Sequence, residues 1–149
     1  MAIPIVEQIV LALQASLETV SDTVPGLTVY RNHDAALVNY PALVLYEGDL
    51  EPYTDTQLAM RYRLNVRIEG VVNPQHYSRL GPDANQLYAQ ALKTIMQDIT
   101  LGGLCYDIEA GVRSMEIVRI EGADPFAYFS LPLFISFFTS PTDPFVIGP

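Results

Sequence analysis

The most regular pattern in the chain is an alternation of apolar and polar residues from Leu58 to Glu69. In a β-strand, successive side chains point to opposite faces of the sheet, so residues two apart share a face. One face would carry mainly apolar side chains: Leu58, Met60, Tyr62, Leu64, Val66 and Ile68. The other would carry mainly polar ones: Ala59, Arg61, Arg63, Asn65, Arg67 and Glu69. The pattern therefore predicts one long strand, Leu58–Gly70, with an apolar face and a charged face.

Two other segments repeat their apolar residues at spacings of three and four, which is the period of an amphipathic helix. The first helix is predicted from about Pro4 to about Val20, with the proline in the first turn, where a missing N–H costs nothing. The second is predicted from Pro82 to Ile99 and is followed by Gly102-Gly103. Glycine takes the left-handed conformation that often terminates a helix, which supports this end.

Four further segments have the composition of β-strands. Leu27–Arg31 is short, and Ala42–Glu47 is apolar enough to be buried. In Val112–Glu121 the alternation slips, which indicates a β-bulge or burial on both faces. Phe126–Thr139 is apolar on both faces, and the proline within it, Pro132, predicts a bend or an edge position because proline cannot donate to a ladder.

Two polar segments are predicted to lack regular structure. Gly48–Thr56 contains a proline and reads as a loop or hairpin tip, so that Ala42–Glu47 and the long strand would form an antiparallel hairpin. Ser140–Pro149 contains three prolines and is predicted to be an extended, mobile tail.

The order of segments is helix, two or three strands, helix, and two strands. It predicts an α+β fold, a single antiparallel or mixed β-sheet with two helices packed on one face. The chain has 149 residues, which suits one domain. Residues 1–139 are predicted to form that domain and residues 140–149 the tail.

Composition excludes several functional classes. The chain has 17 acidic and 8 basic residues and a net charge of −9, which argues against non-specific DNA binding and against binding to anionic membranes. No apolar stretch approaches the roughly 20 residues of a membrane span. The N-terminus lacks the basic region of a signal peptide. Cys105 is the one cysteine, so no internal disulfide forms, which favours a reducing compartment.

The residues that most often carry catalysis are few and scattered. His33 and His76 lie in different polar segments without a partner at helical spacing, so we expect neither to bind a metal. Cys105 lies in an apolar context without nearby cations, which favours a small buried side chain over a nucleophile.

Ligand-binding motifs are equally scarce. No glycine-rich phosphate loop is present. Glu47, Asp49 and Glu51 alternate and could hold a divalent cation weakly, although a solvated loop is the more common outcome of such a run. The sequence therefore predicts no catalytic, cofactor or metal site.

Two features indicate contact with other proteins. Three of the seven arginines lie in one row on the long strand, and they form either a solvated face or a subunit interface; a nucleic-acid contact is least favoured. The last strand has six aromatic residues in thirteen, and helices can cover only one of its faces. The other face would expose an apolar patch typical of an interface, unless loops or the tail cover it. The interface candidates are Arg61, Arg63, Arg67, Phe129, Phe137, Asp49, Glu51 and Asp55.

Five segments occur in an order that is informative by itself. They are the N-terminal helix, Y-P-A-L-V-L-Y-E-G at Tyr40–Gly48, the strand Leu58–Gly70, the helix Pro82–Ile99, and R-I-E-G-A-D-P-F-A-Y-F-S-L-P-L at Arg119–Leu133. This order resembles the tail terminator, or tail completion, proteins of long-tailed bacteriophages. The resemblance covers about Ile5 to Thr139 and consists of order and spacing, without an invariant catalytic motif.

The resemblance implies a non-enzymatic structural protein without cofactors. Its copies would form a ring, typically a hexamer, that caps the tail tube, stops its polymerisation and provides the head–tail joining surface. Its partners would be copies of itself, the tail tube protein and a neck or head-completion protein. It would bind no membrane and no specific nucleic-acid sequence, although DNA would pass through the ring. It would be located in the tail or neck of the virion and assembled in the host cytoplasm.

Three alternatives remain open from the sequence. The first is another head–tail connector, neck or tail tube protein. The second is a small enzyme that uses Cys105 or a loop carboxylate. The third is an acidic protein-binding module.

Overall fold

The computed structural model describes residues 1–33, 39–55, 59–73 and 79–148, with the backbone alone at residues 54 and 55. Six strands form one mixed sheet in the order β1-β2-β3-β6-β4, and β5 also pairs with β6. This is the predicted α+β class, with two helices and a single sheet. In chain order the elements are α1 (Ile5–Glu18), a 3-10 turn (Thr19–Asp22), β1 (Thr28–Arg31), β2 (Ala42–Asp55), β3 (Met60–Val72), α2 (Leu80–Met96), a 3-10 turn (Leu101–Gly103), β4 (Asp107–Ala110), β5 (Ser114–Val118) and β6 (Phe126–Thr139).

Strand β6 lies in the middle of the sheet although it is the last strand in the chain. It pairs antiparallel with β3 along their whole lengths, from Met60↔Thr139 to Val72↔Ala127. On its other side, β4 and β5 pair antiparallel with it, one after the other. The predicted hairpin of β2 and β3 is confirmed, and β1 joins β2 in parallel.

Both helices pack on the same face of the sheet, as predicted, and we call this the covered face. Its central row is supplied by β6, in which every second residue is buried: Ala127, Phe129, Leu131, Leu133, Ile135 and Phe137. The buried stripe of α1 is Ile5, Ile9, Val10, Leu13 and Leu17, and that of α2 is Leu80, Ala84, Leu87, Ala91 and Ile95. Full burial of one large aliphatic or aromatic side chain contributes about 1.5–3 kcal/mol, so this layer is the main source of stability.

The loop predicted at Gly48–Thr56 is wrong wherever the structure describes it, because β2 continues to Asp55. Two register shifts interrupt its pairing with β3, one between Glu47 and Leu50 and one between Pro52 and Thr54. Each shift is a β-bulge, in which the bulged strand has an extra residue and the alternation of faces slips. Because of this slip and the polar composition, the sequence pattern does not indicate that the second half of β2 is a strand.

Strand boundaries on the far side of β6 also differ from the prediction. The predicted strand Val112–Glu121 is shorter, since β5 covers Ser114–Val118, and the strand β4 was not predicted. The second helix begins at Leu80 and ends at Met96, three residues before the predicted end. Beyond this end, the Asp98 carboxylate accepts hydrogen bonds from the backbone N–H groups of Thr100 (3.2 Å) and Gly102 (2.9 Å).

Pro132 occupies an internal strand, contrary to the predicted bend or edge. Its carbonyl accepts a hydrogen bond from the Gly111 N–H at 2.8 Å, on the side of β4 and β5. The nitrogen and carbonyl of one residue in an antiparallel strand point to the same side, so the Pro132 nitrogen also faces the gap between β4 and β5. The N–H that proline lacks would therefore point at the gap between β4 and β5, where the sheet offers the fewest acceptors.

The predicted mobile tail is folded back onto the domain as far as Gly148. The Ser140 N–H donates to the Val146 carbonyl at 2.8 Å, and Ile147 forms a bridge with Thr139. The Ile5 N–H donates to the Pro144 carbonyl at 3.0 Å, which ties the segment to the start of α1. The Gly148 N–H also donates to the Phe138 carbonyl at 3.2 Å, so backbone hydrogen bonds hold the segment in a folded path.

Candidate interaction surface

The second face of the sheet has no helix packed on it among the described residues, and we call it the open face. Alternation along β6 and β3 determines which side chains it presents, because residues two apart share a face. From β6 it receives Phe126, Tyr128, Ser130, Pro132, Phe134, Ser136 and Phe138. From β3 it receives Arg61, Arg63, Asn65, Arg67, Glu69 and Val71. The predicted charged face of the long strand is therefore confirmed.

Arg61 and Arg63 lie against aromatic rings on the open face. The Arg61 guanidinium is 4.1 Å from the centre of the Tyr53 ring, and the Arg63 guanidinium is 5.2 Å from that of Phe134. Tyr53 is the residue in the second register shift of β2, and bulges commonly redirect a side chain in this way. Arg63 also donates to Glu51 across the strand pair at 3.0 Å. Both charges are thus held in place while remaining within reach of solvent.

Arg67 stands beside a recess in the open face. Its guanidinium lies 4.8 Å from the centre of the Tyr46 ring and 3.3 Å from the Glu69 carboxylate. The recess has a volume of about 310 Å³ and forms at the first bulge of β2, where Gly48 approaches Asn65. A Cβ on Gly48 would lie 2.8 Å from the Asn65 carbonyl oxygen, so only glycine fits there without a shift. The Asn65 side-chain oxygen is buried and lacks a hydrogen-bond partner within the described part of the chain.

The opposite edge of the open face is acidic. Register places Asp107 and Glu109 of β4 and Glu116 of β5 on this face, beside Ser136, Phe134 and Tyr128 of β6 respectively. Glu109 and Glu116 are exposed. The Tyr128 hydroxyl donates to Glu116 at 2.5 Å, and this hydrogen bond raises the pKa of Tyr128. The open face thus has a basic row on β3 and an acidic edge on β4 and β5.

A second charge cluster lies on the helix side, at the margin of the covered face. Arg31 of β1 donates to both carboxylate oxygens of Glu7 in α1, at 2.7 and 2.6 Å, and also pairs with Glu47 of β2. The hydrogen bonds from Arg31 lower the pKa of Glu7 and raise that of Arg31. Glu47 and Glu51 therefore pair with arginines on opposite faces, and the carboxylates of residues 47, 49 and 51 do not converge on a cation.

Two of the predicted interface residues are wrong. Phe129 and Phe137 are 0% and 1% exposed, because they lie on the covered face of β6 with the helices above them. The open-face aromatics of this strand are instead Phe126, Tyr128, Phe134 and Phe138, all partly exposed.

The other interface candidates are on or near the open face, as far as they are described. Arg61, Arg63, Arg67 and Glu51 lie there, and exposed Asp49 is in the first bulge. The backbone of Asp55 pairs with Met60, but its side chain lies outside the described residues. Sequence reasoning missed Tyr46, Tyr53, Asp107, Glu109 and Glu116.

The catalytic candidates of the sequence were Cys105 and the two histidines. Cys105 is 6% exposed, and burial raises the pKa of its thiol to about 11, so it is a neutral thiol at neutral pH. The His33 ring lies against Tyr30, with ring centres 4.6 Å apart, and His76 lies outside the described residues. No group of three or more His, Cys, Asp or Glu side chains in the described ranges could hold a metal ion. None of the described helices is long and apolar enough to cross a membrane.

The open face is the most distinctive surface of the molecule. It combines partly exposed aromatic rings, arginines in fixed positions and an acidic edge, which are features of protein-binding surfaces. No protein-family model matches the chain, and no curated protein matches it in sequence.

Proposed function

We propose that this protein is a structural component of a phage particle, the terminator that closes the end of the tail tube. Its copies form a ring, typically of six, which stops tube polymerisation and presents the surface for joining to the head. The observation that carries the proposal is the open face, because an uncovered sheet face with aromatics and paired arginines favours contact with other protein subunits.

The order of the elements supports the same function. A first helix, a long β-hairpin, a second helix and a closing central strand occur in the order in which the sequence resembles tail terminators. The two helices leave one sheet face free for contacts, and the sheet extends over 14 residues at β6. A small domain with one large uncovered face is suited to assembly, since that face becomes buried only when a partner arrives.

The proposed mechanism is physical and involves no bond making. Copies bind the last ring of the tube, and head-to-tail contacts close when the rotation per subunit divides a full turn. Contacts that are weak between two free copies become strong when the tube presents several binding sites at once, because each further contact is intramolecular. The tube thus determines where and when the ring forms.

The partners in this proposal are other copies of the chain, the tail tube protein and a neck or head-completion protein. DNA passes through the ring without base-specific contacts, which agrees with the net charge of −9. The protein resides in the tail or neck of the virion and assembles in the host cytoplasm.

Residues 48–55 belong to β2, which pairs with β3, so this segment is not a free contact loop. A deletion of residues 50–56 would remove ladder pairs and disturb folding. Single substitutions at exposed positions, such as Tyr53 (56% exposed), are therefore the sharper way to examine this end of the hairpin.

The test is the mass of the protein in solution, measured by light scattering after size exclusion over a wide concentration range, with and without purified tail tubes. Closed rings, or copies recruited to tube ends that then stop growing, support the proposal. Long open cylinders of this protein alone would identify a tube protein instead. A chain that does not bind tail tubes at any concentration contradicts the terminator function.

A further inference from the structure

The open face carries two regions of opposite charge at the same level along β6. We define the basic row as Arg61, Arg63 and Arg67 and the acidic pair as Asp107 and Glu109. Arg63 and Asp107 both pair with Ser136, from opposite sides of β6. Glu109 pairs with the next open-face residue, Phe134, one step towards Arg67.

A second copy of the chain is therefore a charge-complementary occupant of this face. When two sheets meet face to face with their strands aligned, a two-fold axis between them runs either along the strands or across them. With the axis along the strands and above β6, β3 of each copy lies over β4 of the other. Each residue keeps its position along the strand direction. Arg63 then meets Asp107 of the second copy, and Glu109 lies between Arg63 and Arg67.

The axis across the strands gives the opposite result. It places β3 over β3, so the basic row of one copy faces the basic row of the other, and like charges in contact oppose association. The positions of the charges thus select one of the two arrangements. In the selected arrangement β6 lies over β6, and the partly exposed Phe134 and Phe138 rings of the two copies share the centre of the contact.

The size of the face agrees with a weak, reversible dimer. A 14-residue strand at about 3.3 Å per residue is about 46 Å long, and three strand columns about 4.8 Å apart are about 14 Å wide. The overlap is then roughly 650 Å² per copy, somewhat below the roughly 800 Å² per partner of a standard stable interface.

We propose that, away from the tail tube, two copies of this protein pair through their open faces, with the basic row of each against the acidic pair of the other. Only the consequence of the pairing rests on the proposed function. The dimer covers the face that would contact neighbouring subunits, so tube binding must compete with dimer formation. The dimer itself does not depend on that function.

The test is sedimentation equilibrium of the full chain at several concentrations and two salt concentrations. We expect a monomer–dimer equilibrium that weakens as salt rises, because exposed charge pairs are screened. Glu109→Lys with Asp107→Lys, and separately Arg63→Glu with Arg67→Glu, should each raise the dimer Kd by about tenfold or more. An equimolar mixture of these two variants should restore a dimer, since each then offers the charge that the other needs.

Two controls keep the result interpretable. Glu109→Lys alone changes an exposed residue and should fold even where the double variant does not. Glu18→Lys with Asp22→Lys reverses exposed charges on the helix side and should leave the Kd unchanged.

Three outcomes would overturn the pairing: a monomer at every concentration, a dimer Kd that neither pair of charge reversals changes, or mixed variants that fail to associate. If the protein nevertheless caps tail tubes, the proposed function stands without the dimer. A charge-dependent dimer that does not bind tail tubes would support the pairing and contradict the proposed function.

Discussion

The two faces of β6 show how one strand can serve two purposes. Phe129 and Phe134 have the same side chain and lie five residues apart, yet the first is fully buried under the helices and the second is partly exposed beside Arg63. Aromatic content alone therefore does not identify an interface; the face to which each ring points decides its role. The covered face stabilises the fold, and the open face is available for binding.

The largest expected difference is between alanine substitutions on the two faces. Phe129→Ala should lower the free energy of unfolding by about 3–5 kcal/mol, because it leaves a cavity in a packed core. Phe134→Ala should lower it by about 1 kcal/mol or less, as its ring is only partly buried. Urea denaturation of both variants measures the difference. Equal losses would contradict the assignment of the two faces.

A second comparison concerns Gly70, which lies beneath the Phe129 ring on the covered face. A Cβ at Gly70 would collide with the ring edge atoms of Phe129, which cannot move away within a filled core. We expect Gly70→Ala to cost about 1–3 kcal/mol, as overpacked cores do. Gly81→Ala in α2 is the matched control, since no atom from the rest of the described chain, apart from its neighbours and its own helix backbone, lies within 4 Å of its Cβ position. It should leave stability unchanged or raise it by about 0.5 kcal/mol. Thermal melts followed by circular dichroism compare the two.

The charge cluster at the margin of the covered face should have a smaller, pH-dependent effect. Arg31 lowers the pKa of Glu7 in the folded protein below its ordinary value of 4.5, so Glu7 binds protons less readily there than in the unfolded chain. The stabilisation is therefore present above pH 4.5 and is lost as pH falls below it. Glu7→Gln should cost about 0.5–1 kcal/mol at pH 7, since the pair is partly exposed.

The pH dependence provides the control for this prediction. The difference in stability between Glu7→Gln and the unmodified chain should shrink when urea denaturation is repeated at successively lower pH. A difference that stays constant from pH 7 to below pH 4 would show that packing, and not the charge of Glu7, is responsible.

The smallest effect is expected on the open face. Arg63→Gln removes an ion pair with Glu51 whose two side chains are 39% and 44% exposed, so stability should change by about 0.5 kcal/mol or less. The same substitution should weaken self-association measured by sedimentation. A large loss of stability would show that this face holds the fold together as well.

Much of the fold could be predicted because its strongest patterns are local. The alternation in β3 and the apolar stripes of both helices repeat over many residues, and burial follows directly from such periods. Strand β4 has only four residues, too few for a period to show. The second half of β2 is hidden by bulges, since each shifts the alternation by one.

The site could be predicted only in part for a related reason. The arginine row follows from alternation, but β6 is apolar on both faces, so its period alone does not say which face is buried. A signal was present: Ser130 and Ser136 share their face with Phe134, and their polarity marks the open side. Phe129 and Phe137 share theirs with four aliphatic residues, Ala127, Leu131, Leu133 and Ile135. The acidic edge depends on the pairing of β4 and β5 with β6, which only tertiary structure reveals.

The central position of β6 has a consequence for biosynthesis. Every other strand except β1 and β2 pairs with it, yet it is the last strand to leave the ribosome. Until then β3 has one bare edge, and the apolar sides of both helices lack the row of side chains that they cover. The nascent chain therefore cannot close its core until β6 has been synthesised, and at about 5–20 residues per second the exposed hairpin persists for several seconds. Chains interrupted before residue 126 would be substrates for chaperones and proteases.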